Sequence, residues 1–139
     1  MGKSLLYRLF GVGSVPRQLN ATLQSEGIVL LDEGIAGSVT YLDFRAPGKR
    51  SNRRRQWFTG AIALTQVRLV ALQYSSTAIN VPVDDERIRS LRFSVEAGTT
   101  LVVAFDPALF HADWSGKMEY RFRTSQAQAF LEKLMSGRS

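Results

Sequence analysis

Cysteine is absent from this chain of 139 residues, and histidine occurs once, at His111. The first absence excludes disulfides, zinc–thiolate centres and cysteine nucleophiles, and it fits a reducing compartment. The second leaves a single imidazole beside Asp113, with no Gly-x-Ser-x-Gly elbow to serve, so His111 reads as a loop residue. Phosphate-cradling glycine motifs are missing as well: Gly11-Val12-Gly13 lacks the third glycine and the preceding strand of a dinucleotide fingerprint. Asp84, Asp85 and Glu86 are consecutive, point in different directions and come without a calcium-loop glycine, so they read as a solvated turn. These absences predict a non-enzymatic protein with no metal and no cofactor.

No apolar run is long enough to span a bilayer. Near the N-terminus Arg8 interrupts the apolar residues and no cleavage site follows. Leu6 stands where a myristoylation motif needs Ser or Thr. The expectation is a cytoplasmic protein.

Acidic residues are missing from one stretch in particular. Between Arg45 and Arg55 the basic residues Arg45, Lys49, Arg50, Arg53, Arg54 and Arg55 meet no Asp or Glu. The formal net charge is +6, and removing these six leaves 12 basic against 12 acidic residues. The whole net charge therefore sits in one segment, where it can steer an anionic partner in a salt-dependent way. Trp57 and Phe58 follow directly. Read functionally, the arginines grip phosphate and the aromatics insert. Read structurally, the aromatics begin a buried strand and the arginines are solvated. The candidate ligand-binding set is Arg45, Lys49, Arg50, Arg53, Arg54, Arg55 and Trp57.

The remaining chain is patterned for β-structure. Leu5, Leu6, Leu9 and Phe10 predict a short amphipathic helix, and a second from Pro16 to Ser25 places Leu19 and Leu23 on one face. The simplest role for both is a flap packed on the domain. Ile28 to Leu31 is an apolar run before a turn-like Asp32-Glu33-Gly34. Val39, Tyr41 and Phe44 then alternate with polar residues, and Pro47-Gly48 punctuates a basic loop. Trp57 to Leu64 and Val67 to Leu72 predict a tight hairpin. Thr77 to Val83 reads as a strand with Pro82 at its end or on a sheet edge. Ile88 to Val95 and Thr99 to Phe105 follow. Met118, Tyr120 and Phe122 alternate with Glu119, Arg121 and Arg123, the pattern of a half-buried strand. Ala127, Phe130, Leu131 and Leu134 predict a closing amphipathic helix, with Ser125 and Gln128 as a capping box.

This order resembles the PH-like superfold, most closely its GRAM and bacterial PH-type branch. "GAIALTQVRLVAL", Gly60 to Leu72, looks like the GRAM-type hairpin in which a strand ends in Thr, here Thr65, and the next begins with Arg and apolar residues, here Arg68-Leu69-Val70. "INVPVDDERIRSLRF" and "RTSQAQAFLEKL" are similar to the segment entering the second sheet and to the closing strand and helix. The resemblance covers roughly residues 27–136. It implies a mostly β fold: a bent antiparallel sheet or partly open barrel of about seven strands, capped by a C-terminal helix. Residues 1–26 are then a helical N-terminal extension and 137–139 a tail. It also implies a module that binds anionic lipid or protein. Lys49, Arg53 and Arg55 match the spacing of basic residues in the first hairpin of lipid-binding PH domains. The closing helix has Phe130 where eukaryotic members carry Trp, which favours the GRAM or bacterial type.

Two partner classes lead. One is an anionic lipid at the inner membrane face, reached through the basic hairpin loop. The other is a protein partner, a second copy included. Nucleic acid ranks behind them, because the charge occupies one loop rather than a stripe across a sheet face.

Overall fold

The computed structural model describes residues 14–136. The helix expected around Leu5 to Phe10 lies outside the described residues. Seven antiparallel strands form one sheet: β1 (Ile28–Ala46), β2 (Lys49–Thr65), β3 (Arg68–Gln73), β4 (Ser76–Pro82), β5 (Arg92–Glu96), β6 (Thr100–Phe105) and β7 (Ser115–Arg123). Their order is β4-β3-β2-β1-β7-β6-β5, so β4 and β5 are its two edges. Helix α1 (Arg17–Glu26) precedes the sheet and α2 (Ala127–Ser136) closes it. The mostly β architecture with a C-terminal helix and a short N-terminal helix is therefore as the sequence pattern anticipates.

Two strands are much longer than the sequence pattern suggests. The basic segment expected as a loop is strand: only Pro47 and Gly48 turn the chain, and Ala46 pairs with Lys49, Arg45 with Arg50 and Tyr41 with Arg54. Proline followed by Gly48 at φ 74° suits a tight turn. A two-residue turn leaves the flanking residues free to join the ladder, and pairing runs to the tip with Asp43 and Asn52 skipped. Asp32-Glu33-Gly34 is likewise not a turn. It lies within β1 at a register shift between Glu33 and Ile35, and a bulge of this kind bends a strand while keeping it paired.

The sheet buries both faces over part of its area. On the concave face Ile62, Leu69, Leu101 and Val103 meet Phe58, Phe105, Tyr120 and Phe122. Phe58 packs edge-on to Phe122 at 5.8 Å between ring centroids. Helix α2 lies against β5 and β6, and its Ala127, Phe130 and Leu134 join this core. On the convex face Leu23, with Leu19, covers Ala61, Ala63, Val70 and Leu72. That explains the unbroken burial of β2 from Phe58 to Thr65: its inward residues meet the core while its small outward alanines admit α1.

The resembling hairpin residues have structural work here. The Thr65 hydroxyl accepts from the Val67 and Arg68 backbone N–H groups, each at 3.0 Å, and donates to Glu26 at 2.9 Å. Arg68 pairs with Glu26 at 2.6 Å, fastening the end of α1 to the β2–β3 turn.

Two local expectations need correction. Ile88 is not in a strand; Glu86–Ser90 is a 3-10 turn whose first N–H groups need a cap, and the Asp85 carboxylate accepts from Arg87 N at 2.8 Å. The strand begins only at Arg92. At the start of α2 the acceptor is Thr124, not Ser125. Buried Thr124 takes the Gln126 N–H at 3.1 Å and donates to Asp32 at 2.6 Å, which ties the helix entry to β1.

Candidate functional site

The tip of the β1–β2 hairpin carries a cavity of about 540 Å³. Its polar lining comes from β2: Lys49, Arg50, Ser51, Arg54 and Gln56. Its aromatic lining comes from two places in the chain, Tyr41 and Phe44 on β1 and Trp114 just before β7. Phe44 sits edge-on between the other two rings, 4.9 Å from Tyr41 and 5.4 Å from Trp114.

Two backbone irregularities assemble that floor. Asp43 adopts φ 48°, and the β1–β7 register shifts between Leu42 and Arg45. Tyr41 and Phe44, three apart in a strand, consequently both face the cavity. Opposite them Gly116, at φ 108°, lets β7 approach so closely that a Cβ there would lie 2.4 Å from the Asp43 carbonyl oxygen. This approach seats Trp114 under the ribbon.

The electrostatics are one-sided. Among the described residues no carboxylate lines the cavity. Arg68, Arg87, Lys117 and Arg121 each hold an acidic partner. Among the described residues, no ion pair joins Arg45, Lys49, Arg50, Arg53, Arg54 or Arg55 to a carboxylate. Arg45 and Arg50 stand directly opposite each other, a like-charge pairing that costs stability. Burial pushes the Tyr41 hydroxyl above its ordinary pKa and Arg54 opposes the shift. A cluster of unneutralised cations beside a hydroxyl and aromatic faces favours a phosphate-type anion, since the lining offers hydrogen-bond donors and positive charge.

A smaller cavity of about 200 Å³ lies behind the same wall, sharing Tyr41 and Trp114. His111, exposed in its loop, stacks on Trp114 at 3.7 Å. Tyr120 in this second cavity donates to Gln73 at 3.5 Å, and burial raises its pKa well above the usual tyrosine value.

The fold divides the seven sequence-nominated residues. Lys49, Arg50 and Arg54 line the cavity. Arg45 is exposed opposite Arg50. Arg53, Arg55 and Trp57 alternate with Arg54 and so face the other side of the sheet. There the Arg55 guanidinium lies 5.6 Å from the centre of the Trp57 ring, and its Nε donates to Thr40 at 3.2 Å. The two aromatics after the basic segment also part company: Trp57 is 67% exposed, while Phe58 is 5% exposed in the core. The Lys49, Arg53 and Arg55 spacing thus spans two faces of the ribbon. Tyr41, Phe44, Gln56 and Trp114 were not nominated from sequence. Trp114 carried no signal, since nearly seventy residues separate it from the hairpin it joins.

Fold and cavity together define an open antiparallel sheet with a cationic, aromatic-floored cavity at its hairpin end. A scan against protein-family models and a search of curated proteins find no match for this chain. Among the described residues no helix is long and apolar enough to cross a membrane, and no cluster of His, Cys, Asp and Glu is placed to hold a metal ion.

Proposed function

We propose that the chain is a non-enzymatic PH-like module that docks to an anionic membrane by holding a phosphorylated headgroup at the β1–β2 tip. The observation that carries this reading is the cavity lined by Lys49, Arg50 and Arg54 over Tyr41, Phe44 and Trp114, with no carboxylate from the described residues in its wall. The seven antiparallel strands followed by a closing helix support it, being what the PH-like resemblance anticipates. Docking is electrostatic in this reading. Phe58 belongs to the core and Trp57 to the opposite face, so neither inserts beside the headgroup. The cytoplasmic face of a membrane, with its anionic lipids, is the surface such a cavity suits.

The test is flotation with neutral vesicles and with vesicles containing a phosphoinositide, at low and high salt. Binding to the anionic vesicles alone, lost at high salt, is expected. Replacing Lys49, Arg50 and Arg54 by Gln removes about 1 kcal/mol each, so affinity falls roughly 150-fold. Unchanged flotation of that variant overturns the assignment of the cavity.

A second reading follows from the open sheet. The outer sides of β4 and β5 are unpaired within it, and such edges add strands from a partner chain. Vesicle-independent self-association in light scattering favours that reading instead.

A further inference from the structure

The convex face of the sheet carries a second basic surface, separate from the cavity. Among the described residues, helix α1 covers this face over β2, β3 and the first residues of β1. Across β2, β1, β7, β6 and β5 the pairing registers align its residues in rows. Trp57 pairs with Ser38, then Arg121, then Val102. Arg55 pairs with Thr40, then Glu119, then Ala104, then Arg92. Arg53 pairs with Leu42, then Lys117. Arg123 shares the face two residues beyond Arg121, opposite Thr100. Six cations from three strands thereby stand on one surface with two carboxylates, Glu96 and Glu119.

Both carboxylates are engaged. Glu96 takes Arg121 at 3.1 Å, and Glu119 takes Lys117 and Arg121, each at 3.1 Å. They brace Arg121 and leave Arg53, Arg55, Arg92 and Arg123 without a carboxylate among the described residues. Trp57, the most exposed large apolar residue of those described, stands in this field, and a depression of about 280 Å³ runs from it to Arg121 and Arg123.

We propose that this face binds single-stranded nucleic acid, with phosphates on the arginine rows and a base stacked at Trp57. A stripe of cations that tracks a backbone, interrupted by an exposed aromatic platform, is the arrangement unpaired strands require. On β2 the spacing Arg53, Arg55, Trp57 sets neighbours roughly 7 Å apart along an extended path. Arg55 beside the indole adds a second planar group for stacking. In the sequence the charge occupied a single segment, which ranked nucleic acid low. The sheet register brings Arg92, Lys117, Arg121 and Arg123 alongside and makes the missing stripe.

The experiment is titration of the full chain with an oligothymidylate of about twelve nucleotides, followed by fluorescence anisotropy of the labelled strand and by tryptophan emission. Salt-dependent binding with quenched emission is expected. Trp57→Ala weakens it roughly 5- to 150-fold, the range found for loss of one stacked base. Trp57→Phe retains most of the affinity. Because Trp57 is exposed, neither change threatens the core, and circular dichroism verifies the fold. Arg53→Gln with Arg123→Gln lowers the slope of log K against log salt by about 1.4. The Lys49, Arg50 and Arg54 to Gln variant keeps the emission quench, which separates this site from the cavity. No binding at low salt overturns the proposal. So does equal binding to duplex or heparin, and so does an affinity indifferent to Trp57→Ala.

Discussion

Arg50→Thr separates the cost of the hairpin tip from its use. Arg45 and Arg50 face each other across the last pairs of the ribbon, with Lys49, Arg53 and Arg54 nearby and, among the described residues, no carboxylate ion-paired to any of them. Two unit charges about 7 Å apart in water repel by about 0.6 kcal/mol. Like charges directly opposite in a sheet cost about 0.2–1 kcal/mol. Thr suits a strand and removes one of the two charges. The unliganded domain should therefore gain about 0.5–1 kcal/mol, or roughly 2–3 °C in Tm for a chain of this size. Binding to phosphoinositide vesicles should fall about fivefold, since one cation near an anionic surface contributes about 1 kcal/mol. Opposite signs in the two assays are the signature of a site that sacrifices stability for an anion. Near 1 M salt, where charges are screened beyond about 3 Å, the part of the Tm gain that comes from the charge should vanish. A variant that is less stable, or equally stable at every salt, with vesicle binding intact refutes the reasoning.

Gly116→Ala should disturb both fold and cavity. The new Cβ would meet the Asp43 carbonyl at 2.4 Å in a backbone region that L-residues avoid, so a loss of roughly 1–3 kcal/mol is expected in denaturant unfolding, together with altered Trp114 emission. Acid sensitivity has a named contributor in Glu119. Burial opposes its ionisation, but Lys117 and Arg121 outweigh that and hold its carboxyl below the usual 4.5. A depressed folded pKa gives stability that is fully present above pH 4.5 and lost as pH falls through the folded value. The Tm difference between the native chain and Glu119→Gln should therefore shrink from pH 6 to pH 3, and a constant difference contradicts the assignment.

The strands with apolar alternation were legible because period-two patterning is a local property. Met118, Tyr120 and Phe122 face the core as their spacing demands. The closing helix was legible for the same reason, with Phe130 and Leu134 buried as its period requires. The β1–β2 ribbon was not. Its outer half carries no apolar alternation from Lys49 to Arg55, and charged residues there suggest a loop. Strand geometry extends through it because a two-residue turn lets the backbone ladder continue to the tip. The caps shifted for a comparable reason: Thr124 and Ser125 are equivalent in composition, and only the position of Asp32 selects Thr124.

By itself the sequence determined the element order, the amphipathic faces and the concentration of positive charge, all of which depend on neighbours along the chain. Tertiary structure alone decided how that charge is divided. Alternation within a strand sends Arg54 into one surface and Arg53 and Arg55 onto the other. The bulge at Asp43 and the close passage at Gly116 bring Trp114 beneath the hairpin, while β5 and β7 add Arg92, Lys117, Arg121 and Arg123 to the convex face. Each of these depends on register between distant strands, which long-range pairing sets and which no local pattern in the chain encodes.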